Sequence, residues 1–215
     1  MSLAIIIPAQ DNNKYHKKGD LAPFGDITLI EWKITQCKEF VDNTNIFIST
    51  NSDEIEQIAI KENINIIKRK ENLSYTDMIF NSIKDIESKD IMWINPTSPF
   101  MDKKLYENMY NYYKEYKLDS LVSVEKRQEY IFLDGKKLNF TDTFISRQDI
   151  EPIYIMTNGC YIIQKDIAIK NKSLISSTPK LFEIDTLSAL EIKDMPDYTI
   201  AKELISAYFR KDLDV

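Results

Sequence analysis

The feature that most constrains this 215-residue chain is a short apolar run close to its start. Ala4-Ile5-Ile6-Ile7 is too short for a helix and rich in β-branched residues, which favours a strand buried on both faces of a parallel sheet. Pro8 ends the strand because proline brings no N–H to a central ladder. A polar loop over residues 10–20 follows, and apolar residues resume helical spacing at Leu29. This order places the loop at the carboxyl end of a first strand, where open α/β sheets bind ligands.

Strand and helix patterns alternate along the rest of the chain, which predicts a single α/β domain over residues 1–215. Helices are expected over residues 29–40, 53–61, 76–86, 105–116 and 200–209. Strands are expected over residues 45–50, 64–67, 90–94, 119–124 and 180–184, and apolar strand periodicity runs from 157 to 169. Asp134-Gly135 predicts a hairpin turn between two apolar stretches, residues 130–133 and 138–140.

The overall composition excludes several classes of protein. A net charge of −6 and a pI near 5.0 argue against a nucleic-acid partner, which would require a basic face. No apolar run approaches the ~20 residues that span a bilayer, so no membrane partner is expected. Cys37 and Cys160 lie far apart without metal-ligand spacing, which favours buried thiols in a reducing, cytoplasmic setting.

The first 32 residues also carry a motif. Without a gap, the chain supplies Ile7-Pro8-Ala9, Lys14, Leu29-Ile30 and Trp32 of the pattern IPARGGSKxxxxKNxxxxxGxPLIxW. This stretch resembles the N-terminus of the cytidylyltransferases that activate acidic sugars, namely acylneuraminate and 3-deoxy-manno-octulosonate. The chain departs from the pattern where Gln10 replaces an arginine, Asp11-Asn12-Asn13 replaces Gly-Gly-Ser, and Gly19-Asp20 replaces Lys-Asn.

Three later segments strengthen the resemblance: residues 90–100 (DIMWINPTSPF), 119–124 (DSLVSV) and 147–163, which contains RQ, Pro152, Tyr154 and NGCYI. The resemblance implies a three-layer, Rossmann-like and mostly parallel sheet. It also implies a small protruding β-hairpin lobe, at about residues 125–156, that embraces a second subunit. Exposed aromatic residues on such a hairpin would be a liability in a monomer, so we expect a homodimer.

The activity implied by the resemblance is transfer of CMP from CTP to the anomeric hydroxyl of an acidic sugar, with release of pyrophosphate and with Mg²⁺ as cofactor. Carried over position by position, the catalytic residues are Gln10, Lys14 and Lys18. The nucleotide-binding residues are Pro8, Ala9, Gln10, Asp20, Arg69 and Thr76. The sugar-binding residues are Asn95, Thr97, Ser98, Arg147, Gln148, Tyr154 and Asn158. The metal ligands are Glu191 and Asp194, while Lys193 replaces a metal-binding aspartate.

The sequence leaves several alternatives open. Asp11 and Lys193 form an ion pair that fills the metal and phosphate space, or Lys193 stands in for the charge of the metal. The lysines at 14, 17 and 18, and Arg69, are ligand contacts or solvated charges, and Arg147 contacts the sugar or pairs with a partner subunit. The protein is accordingly an active transferase, or a non-catalytic relative that binds a nucleotide, a nucleotide-sugar or a partner subunit.

Overall fold

The computed structural model describes residues 3–71, 73–143 and 145–211. Its strands are β1 (Leu3–Pro8), β2 (Pro23–Phe24), β3 (Ile27–Thr28), β4 (Ile46–Thr50), β5 (Asn65–Lys68), β6 (Asp90–Ile94), β7 (Ser120–Arg127), β8 (Phe132–Leu133), β9 (Lys136–Lys137), β10 (Ile153–Gln164) and β11 (Lys180–Ile184). Its α-helices are α1 (Leu29–Lys38), α2 (Asp53–Lys61), α3 (Tyr75–Ile83), α4 (Lys103–Glu115), α5 (Lys165–Asn171) and α6 (Met195–Lys211).

Seven strands form the central sheet, in the order β11-β7-β10-β6-β1-β4-β5. Only β10 among these seven runs antiparallel to its neighbours. β1 lies between β4 and β6, so that Ile5 pairs with both Ile46 and Met92. The chain therefore moves outward from β1 to β4 and β5 and then returns to β6 on the other side of β1. The carboxyl ends of β1 and β6 border the switch point at which such sheets bind ligands.

Two apolar layers cover the sheet and confirm the three-layer α/β architecture. Ile5 and Ile7 face a cluster that includes residues of α1, α2 and α4, whereas Ile6 faces a cluster with residues of α3 and α5. This alternation follows from the two-residue period of a strand. Because both faces of β1 are covered, its sequence is continuously apolar.

Helix α1 begins where the sequence places a capping box. The Thr28 side chain accepts a hydrogen bond from the Glu31 N–H, and the Glu31 carboxylate accepts one from the Thr28 N–H. These bonds satisfy two backbone donors that a helix start would leave unpaired. Ile30, Ile34 and Cys37 then form the buried face of α1 against the sheet.

The predicted continuation of the strand to Ile169 is wrong. β10 pairs with β6 only up to Gln164 opposite Asp90, which is the first residue of β6. Beyond that point β6 offers no further ladder, and residues 165–171 form α5, which ends at Lys172 in the left-handed conformation. The pattern of apolar residues alone does not separate a short strand from a short helix.

The remaining boundaries need smaller changes. The last helix begins at Met195 rather than at Ile200. The predicted hairpin is confirmed: β8 and β9 pair around Asp134 and Gly135, whose φ angles of 49° and 76° match the positive values of a type I′ turn. Within the described residues, no helix combines the length and apolar character that crossing a membrane would require.

A bulge interrupts the pairing of β10 with β7, and Gly159 lies within it. The register shifts between Met156 and Tyr161, and the Ser123 hydroxyl accepts a hydrogen bond from the Cys160 N–H across the gap. A Cβ atom at Gly159 would lie 2.1 Å from Sδ of the fully buried Met101. The bulge therefore requires glycine here because the Met101 side chain occupies the space.

We expect Gly159→Ala to lower the free energy of unfolding by about 1–3 kcal/mol, because an added methyl group overpacks this region. The measurement is urea denaturation of the variant, of Met101→Ala and of the double variant. A shorter side chain at position 101 should remove most of the effect of Gly159→Ala. Additive effects of the two substitutions would contradict the overpacking explanation.

Candidate functional site

A pocket of about 220 Å³ lies at the carboxyl ends of β1 and β6. It is lined by the loop that follows β1, by Arg69 after β5, by the start of α3 and by the turn after β6. The lining residues are Pro8, Ala9, Gln10, Asn13, Asp20, Arg69, Tyr75, Met78, Asn95, Pro96 and Thr97. Segments far apart in the sequence thus meet at the switch point of the sheet. The volume is below the ~300 Å³ typical of small-molecule sites, so a nucleotide would extend beyond the pocket.

The loop after β1 is closed by the Asp20 carboxylate. Its two oxygens accept hydrogen bonds from the Gln10 N–H at 2.8 Å and from the Tyr15 hydroxyl at 2.6 Å. The Asp20 N–H in turn donates to the Gln10 carbonyl at 2.8 Å. Asp20 is 3% exposed, so these bonds form away from solvent. They hold the two ends of the loop together at the pocket.

Gly19 makes this closure possible. Its φ is +49°, and a Cβ atom would lie 2.2 Å from the Gln10 carbonyl oxygen and 2.6 Å from the Asn12 nitrogen. Both contacts are with backbone, which has little freedom to move aside. The loop in this conformation has no room for a lysine at position 19, where the motif pattern has one.

Asp20 and Arg69 form the charged part of the pocket. Burial raises the pKa of the Asp20 carboxyl from 3.8 to about 6, while the bonds from Tyr15 and Gln10 and the nearby Arg69 charge act in the opposite direction. Burial lowers the pKa of Arg69, and Asp20 raises it. The guanidinium donates to the Ala9 carbonyl and lies 2.9 Å from Sδ of Met78. Arg69 is therefore held in the pocket rather than extended into solvent.

The turn after β6 forms the opposite wall. Asn95, Pro96 and Thr97 line the pocket, and the Thr97 carbonyl accepts a hydrogen bond from the Ile192 N–H at 2.8 Å. This bond brings residues 191–194, the acidic segment that precedes α6, to the edge of the site. The first loop and the turn thus line one pocket, whereas the acidic segment adjoins the pocket and does not line it.

A chain of polar contacts joins the bulge of β10 to the acidic segment. The Asn158 carbonyl accepts a hydrogen bond from the Asn95 amide, and the Asn158 amide donates to the Glu191 carboxylate. The Tyr161 hydroxyl donates to the Asn158 side-chain oxygen. Burial and the Glu191 charge both raise the pKa of Tyr75, a residue of the pocket lining. Glu191 is therefore close to the pocket.

A second cavity of about 240 Å³ lies beside the first. Tyr75 belongs to the lining of both cavities. The other lining residues are mostly apolar: Thr76, Ile79, Met156, Tyr161, Lys172, Ser173, Leu174 and Ile175. A ligand bound in the first pocket thus has an apolar neighbouring space.

Comparison with known proteins agrees with this geometry. Residues 4–208, nearly the whole chain, match a family described as cytidylyltransferase. The chain belongs to the cytidylyltransferase family.

Two relatives illustrate the similarity in sequence. An N-acylneuraminate cytidylyltransferase from Streptococcus agalactiae serotype V is 23% identical over 171 residues, which are 73% of this chain and 41% of the relative. The chain thus spans about two fifths of the length of that relative. Post-translational flagellin modification protein B from Campylobacter coli is 23% identical over 218 residues, 93% of each chain.

Solved structures show the same fold at lower identity. A CMP:2-keto-3-deoxy-manno-octonic acid synthetase complexed with CTP matches with a TM-score of 0.74 and 11% identity, over 97% of this chain and 100% of that one. A 4-diphosphocytidyl-2C-methyl-D-erythritol synthase from Anaerococcus prevotii matches with a TM-score of 0.71 and 14% identity, over 95% and 98% of the two chains.

In this member of the family, part of the predicted site comes together. Seven predicted residues line the pocket: Pro8, Ala9, Gln10, Asp20, Arg69, Asn95 and Thr97. Lys14 and Lys18 belong to the same loop but are exposed and do not line the pocket. Thr76 lines the second cavity. Ser98 is buried with its hydroxyl unpaired, and its carbonyl accepts a hydrogen bond from Lys33.

Three predicted sugar contacts lie apart from both cavities. Arg147 pairs with Glu129 at 3.4 Å, and the Gln148 carbonyl accepts a hydrogen bond from the Gln128 side chain. Tyr154 lies on the part of β10 that precedes the bulge, and its side chain is exposed. Contact of these three residues with the sugar stays a prediction.

The predicted metal ligands separate in the structure. The Asp194 carboxylate accepts a hydrogen bond from the Asp197 N–H and caps α6, whereas Glu191 contacts Asn158 near the pocket. The described residues contain no group of three or more acidic, histidine or cysteine side chains suited to a metal. They also contain no ion pair between Asp11 and Lys193, both of which are exposed, so the ion-pair hypothesis is wrong.

The sequence missed four residues of the pocket lining, Asn13, Tyr75, Met78 and Pro96. Met78 is an apolar residue in the helix predicted over residues 76–86, and nothing in the local pattern distinguishes a core position from a pocket wall. Tyr75 precedes the predicted helix start at residue 76. The structure begins α3 at Tyr75 because the Ser74 side chain accepts a hydrogen bond from the Asp77 N–H.

The raised pKa of Asp20 predicts a pH-dependent stability. The folded protein keeps the proton of the Asp20 carboxyl at pH values where the unfolded chain has released it. Asp20 therefore contributes to the free energy of unfolding below pH 4, and this contribution is lost as pH rises through about 6. Relative to Asp20→Asn, the wild type should lose about 3 kcal/mol of unfolding free energy between pH 4 and pH 7. Urea denaturation across this range measures the difference. The matched control is Asp26→Asn, at an exposed position, and a pH-independent effect of Asp20→Asn would contradict the assignment.

Proposed function

We propose that this chain transfers CMP from CTP to a hydroxyl of an acidic sugar and releases pyrophosphate. The observation that carries the proposal is the convergence of the first loop, Arg69 and the Asn95–Thr97 turn on one pocket at the switch point. The relatives support an acidic sugar as the acceptor. Acylneuraminate is an acidic sugar, and the structural match solved with CTP is named for another acidic sugar.

The side chains of the pocket suit a positioning role. In phosphoryl-type transfer the protein mainly orients the reactants and neutralises charge on the oxyanions. Arg69 supplies a fixed positive charge in the pocket, while Gln10, Asn95 and Thr97 supply hydrogen-bonding groups. In the proposed reaction the oxygen of the sugar hydroxyl bonds to the α-phosphorus of CTP and its proton is released to solvent, while the bond between the α-phosphorus and the leaving pyrophosphate breaks. Lys14 and Lys18 provide further positive charge from the exposed side of the loop.

The second cavity is the proposed site of the acceptor sugar. It shares Tyr75 with the nucleotide pocket, so the two substrates would lie side by side. Asn158, bonded to both Asn95 and Glu191, stands at the edge of the site and offers polar groups to sugar hydroxyls. The apolar lining favours a sugar that carries an apolar substituent.

Magnesium is proposed as a cofactor that arrives with the triphosphate. Mg²⁺ in nucleotide sites uses one or two carboxylates together with substrate phosphates and waters. Glu191 fits as one such carboxylate, whereas Asp194 is engaged as a helix cap and fits less well. Bound there, the ion would neutralise charge on the phosphates. The protein itself orients Glu191 through the Asn158 amide.

Arg69 provides the test of the nucleotide site. We expect Arg69→Met to weaken CTP binding by ~10-fold or more, because a charge-assisted contact to phosphate is lost. Calorimetric titration with CTP, with and without Mg²⁺, measures the change, and pyrophosphate release with a panel of acylneuraminates and octulosonates measures turnover. Lys68→Met is the matched control, since Lys68 pairs with Glu56 outside the pocket. Equal CTP affinity in Arg69→Met and wild type would remove this pocket from the proposal.

The alternative is a non-catalytic relative that binds the nucleotide. The closed loop favours this alternative, because Gly19 excludes a lysine and Asp20 places a carboxylate in the pocket. Binding of CTP without pyrophosphate release for any sugar in the panel would establish it. Pyrophosphate release that depends on the sugar would exclude it.

A homodimer built through residues 125–156 is the proposed assembly. Phe132, Leu133 and Leu138 of the hairpin are each more than half exposed, and Tyr154, Ile155 and Met156 of β10 are also exposed. Exposed apolar patches of this kind mark interaction sites. In a dimer, Arg147, Gln148 and Tyr154 would be available to the site of the partner, which agrees with their predicted contact with the sugar.

We expect Leu133→Asp to convert a dimer into a monomer, because a charge in the interface opposes association. Light scattering coupled to size-exclusion chromatography measures the mass. Ile60→Asp is the matched control, because Ile60 on α2 is 60% exposed and Leu133 is 61% exposed. A wild type that is monomeric at all concentrations would contradict the proposed dimer.

Finally, we propose a reducing, cytoplasmic location. Cys37 and Cys160 are both free and buried in the apolar core, which is the state expected of thiols in a reducing compartment. CTP as a substrate would also be found there.

A further inference from the structure

Helix α1 holds the turn after β6 through three side-chain donors. The Trp32 indole and the Gln36 amide donate to the Pro99 carbonyl at 2.7 and 2.8 Å. Between them, the Lys33 ammonium donates to the Ser98 carbonyl at 2.7 Å. Two consecutive carbonyls of the turn are therefore fixed from beneath the pocket by one helix.

Lys33 is unusual among these donors because its side chain is fully buried. Its ammonium has the Tyr106 hydroxyl at 2.9 Å as a second partner and lies 5.5 Å from the centre of the Tyr106 ring. Among the described residues it has no carboxylate within 4.0 Å. A buried cation without a carboxylate partner is a costly way to fill a core, since an apolar residue avoids the desolvation penalty. The residue therefore serves something other than packing.

The turn that Lys33 holds connects two walls of the site. Ser98 directly follows Thr97, which lines the pocket and whose carbonyl accepts the hydrogen bond from Ile192. Glu191 directly precedes Ile192 in the sequence and therefore lies next to this hydrogen bond. A shift of the Ser98 carbonyl would thus move both Thr97 and the acidic segment.

We propose that Lys33 is a positioning residue for nucleotide binding: its buried ammonium fixes the Asn95–Pro99 turn and, through it, the pocket wall and the segment carrying Glu191. This inference rests on the proposed function, in which the pocket takes a cytidine nucleotide. Lys33 touches no substrate and acts through the Ser98 carbonyl.

The environment of Lys33 makes the inference testable by pH. Burial lowers its pKa from 10.5 to about 8. The titratable groups around it are Cys37 on its own helix, Cys160 from β10, Tyr106 from α4 and, beyond Tyr106, Asp102. Burial raises the pKa of both thiols, so that they stay neutral below pH 9. Above pH 8 the ammonium therefore loses its charge, and the bond to Ser98 loses its charge-assisted character.

The experiment compares wild type, Lys33→Met and the matched control Lys38→Met, which removes a surface lysine of the same helix. CTP affinity is measured by calorimetry from pH 7 to pH 9, and exchange of the Ile192 amide proton by NMR in the absence of nucleotide. At pH 7, Lys33→Met should bind CTP ~10-fold more weakly and exchange this amide faster. The affinity of wild type should fall several-fold by pH 9, and that of Lys33→Met should not change. Lys38→Met should behave as wild type in both measurements.

Tyr106→Phe is the second variant, in case Lys33→Met does not fold. It removes one acceptor of the ammonium, so the loss of CTP affinity should begin at a lower pH than in wild type. An unchanged pH profile in Tyr106→Phe would overturn the inference, and so would wild-type affinity and amide exchange in a folded Lys33→Met. Failure of the wild type to bind CTP at any pH would overturn the proposed function and the role of Lys33 in binding. Amide exchange at Ile192 alone would then decide whether Lys33 holds the turn.

Discussion

The pairing of β1 with β6 is the constraint on which the rest of the molecule depends. Both strands are buried on their two faces, so their backbone groups are satisfied only within the sheet. This requirement fixes the two strands side by side and in register. Their carboxyl ends then deliver the first loop and the Asn95–Pro99 turn to the same place. The pocket follows from the sheet, and its chemistry depends on what these two connections carry.

The first loop keeps three lysines but carries less positive charge than the motif it resembles. Gly19 packs against the backbone where the motif has a lysine, and Asp20 places a buried carboxylate at the pocket. Arg69 lies against this loop and offsets part of the negative charge. Asp20 thus closes the loop, but its negative charge lowers the positive electrostatic potential that would attract a triphosphate. This exchange is the physical reason why binding and turnover are separate questions for this chain.

The turn after β6 is held from three directions. Helix α1 binds the Ser98 and Pro99 carbonyls from below, Asn95 reaches the bulge of β10, and Thr97 receives the Ile192 N–H. Sites that bind or react require side chains whose positions are set by surrounding contacts. Here the support includes a buried ammonium, which an ordinary core would not contain. The bulge contributes because it turns Asn158 toward the turn and Glu191.

Much of the fold could be predicted from the sequence because the signals are local. Each of these signals spans only a few residues. Examples are the run from Ala4 to Ile7, the Asp134-Gly135 turn and the segments that carry the motifs. The place of the pocket followed from strand order alone. The continuation to Ile169 failed because the end of β10 depends on where β6 begins, which is not a local property.

The sequence by itself determined the layers, the switch point and the segments that meet there, since hydrophobic periodicity and turn chemistry are properties of short stretches. Only the tertiary structure decided which side chains line the site. It brought Tyr75 and Met78 into the pocket, set Lys14 and Asp194 aside and paired Lys33 with the Ser98 carbonyl. The contact between Lys33 and Ser98 joins residues 65 positions apart, and such contacts depend on the packing of whole elements, which no local pattern records.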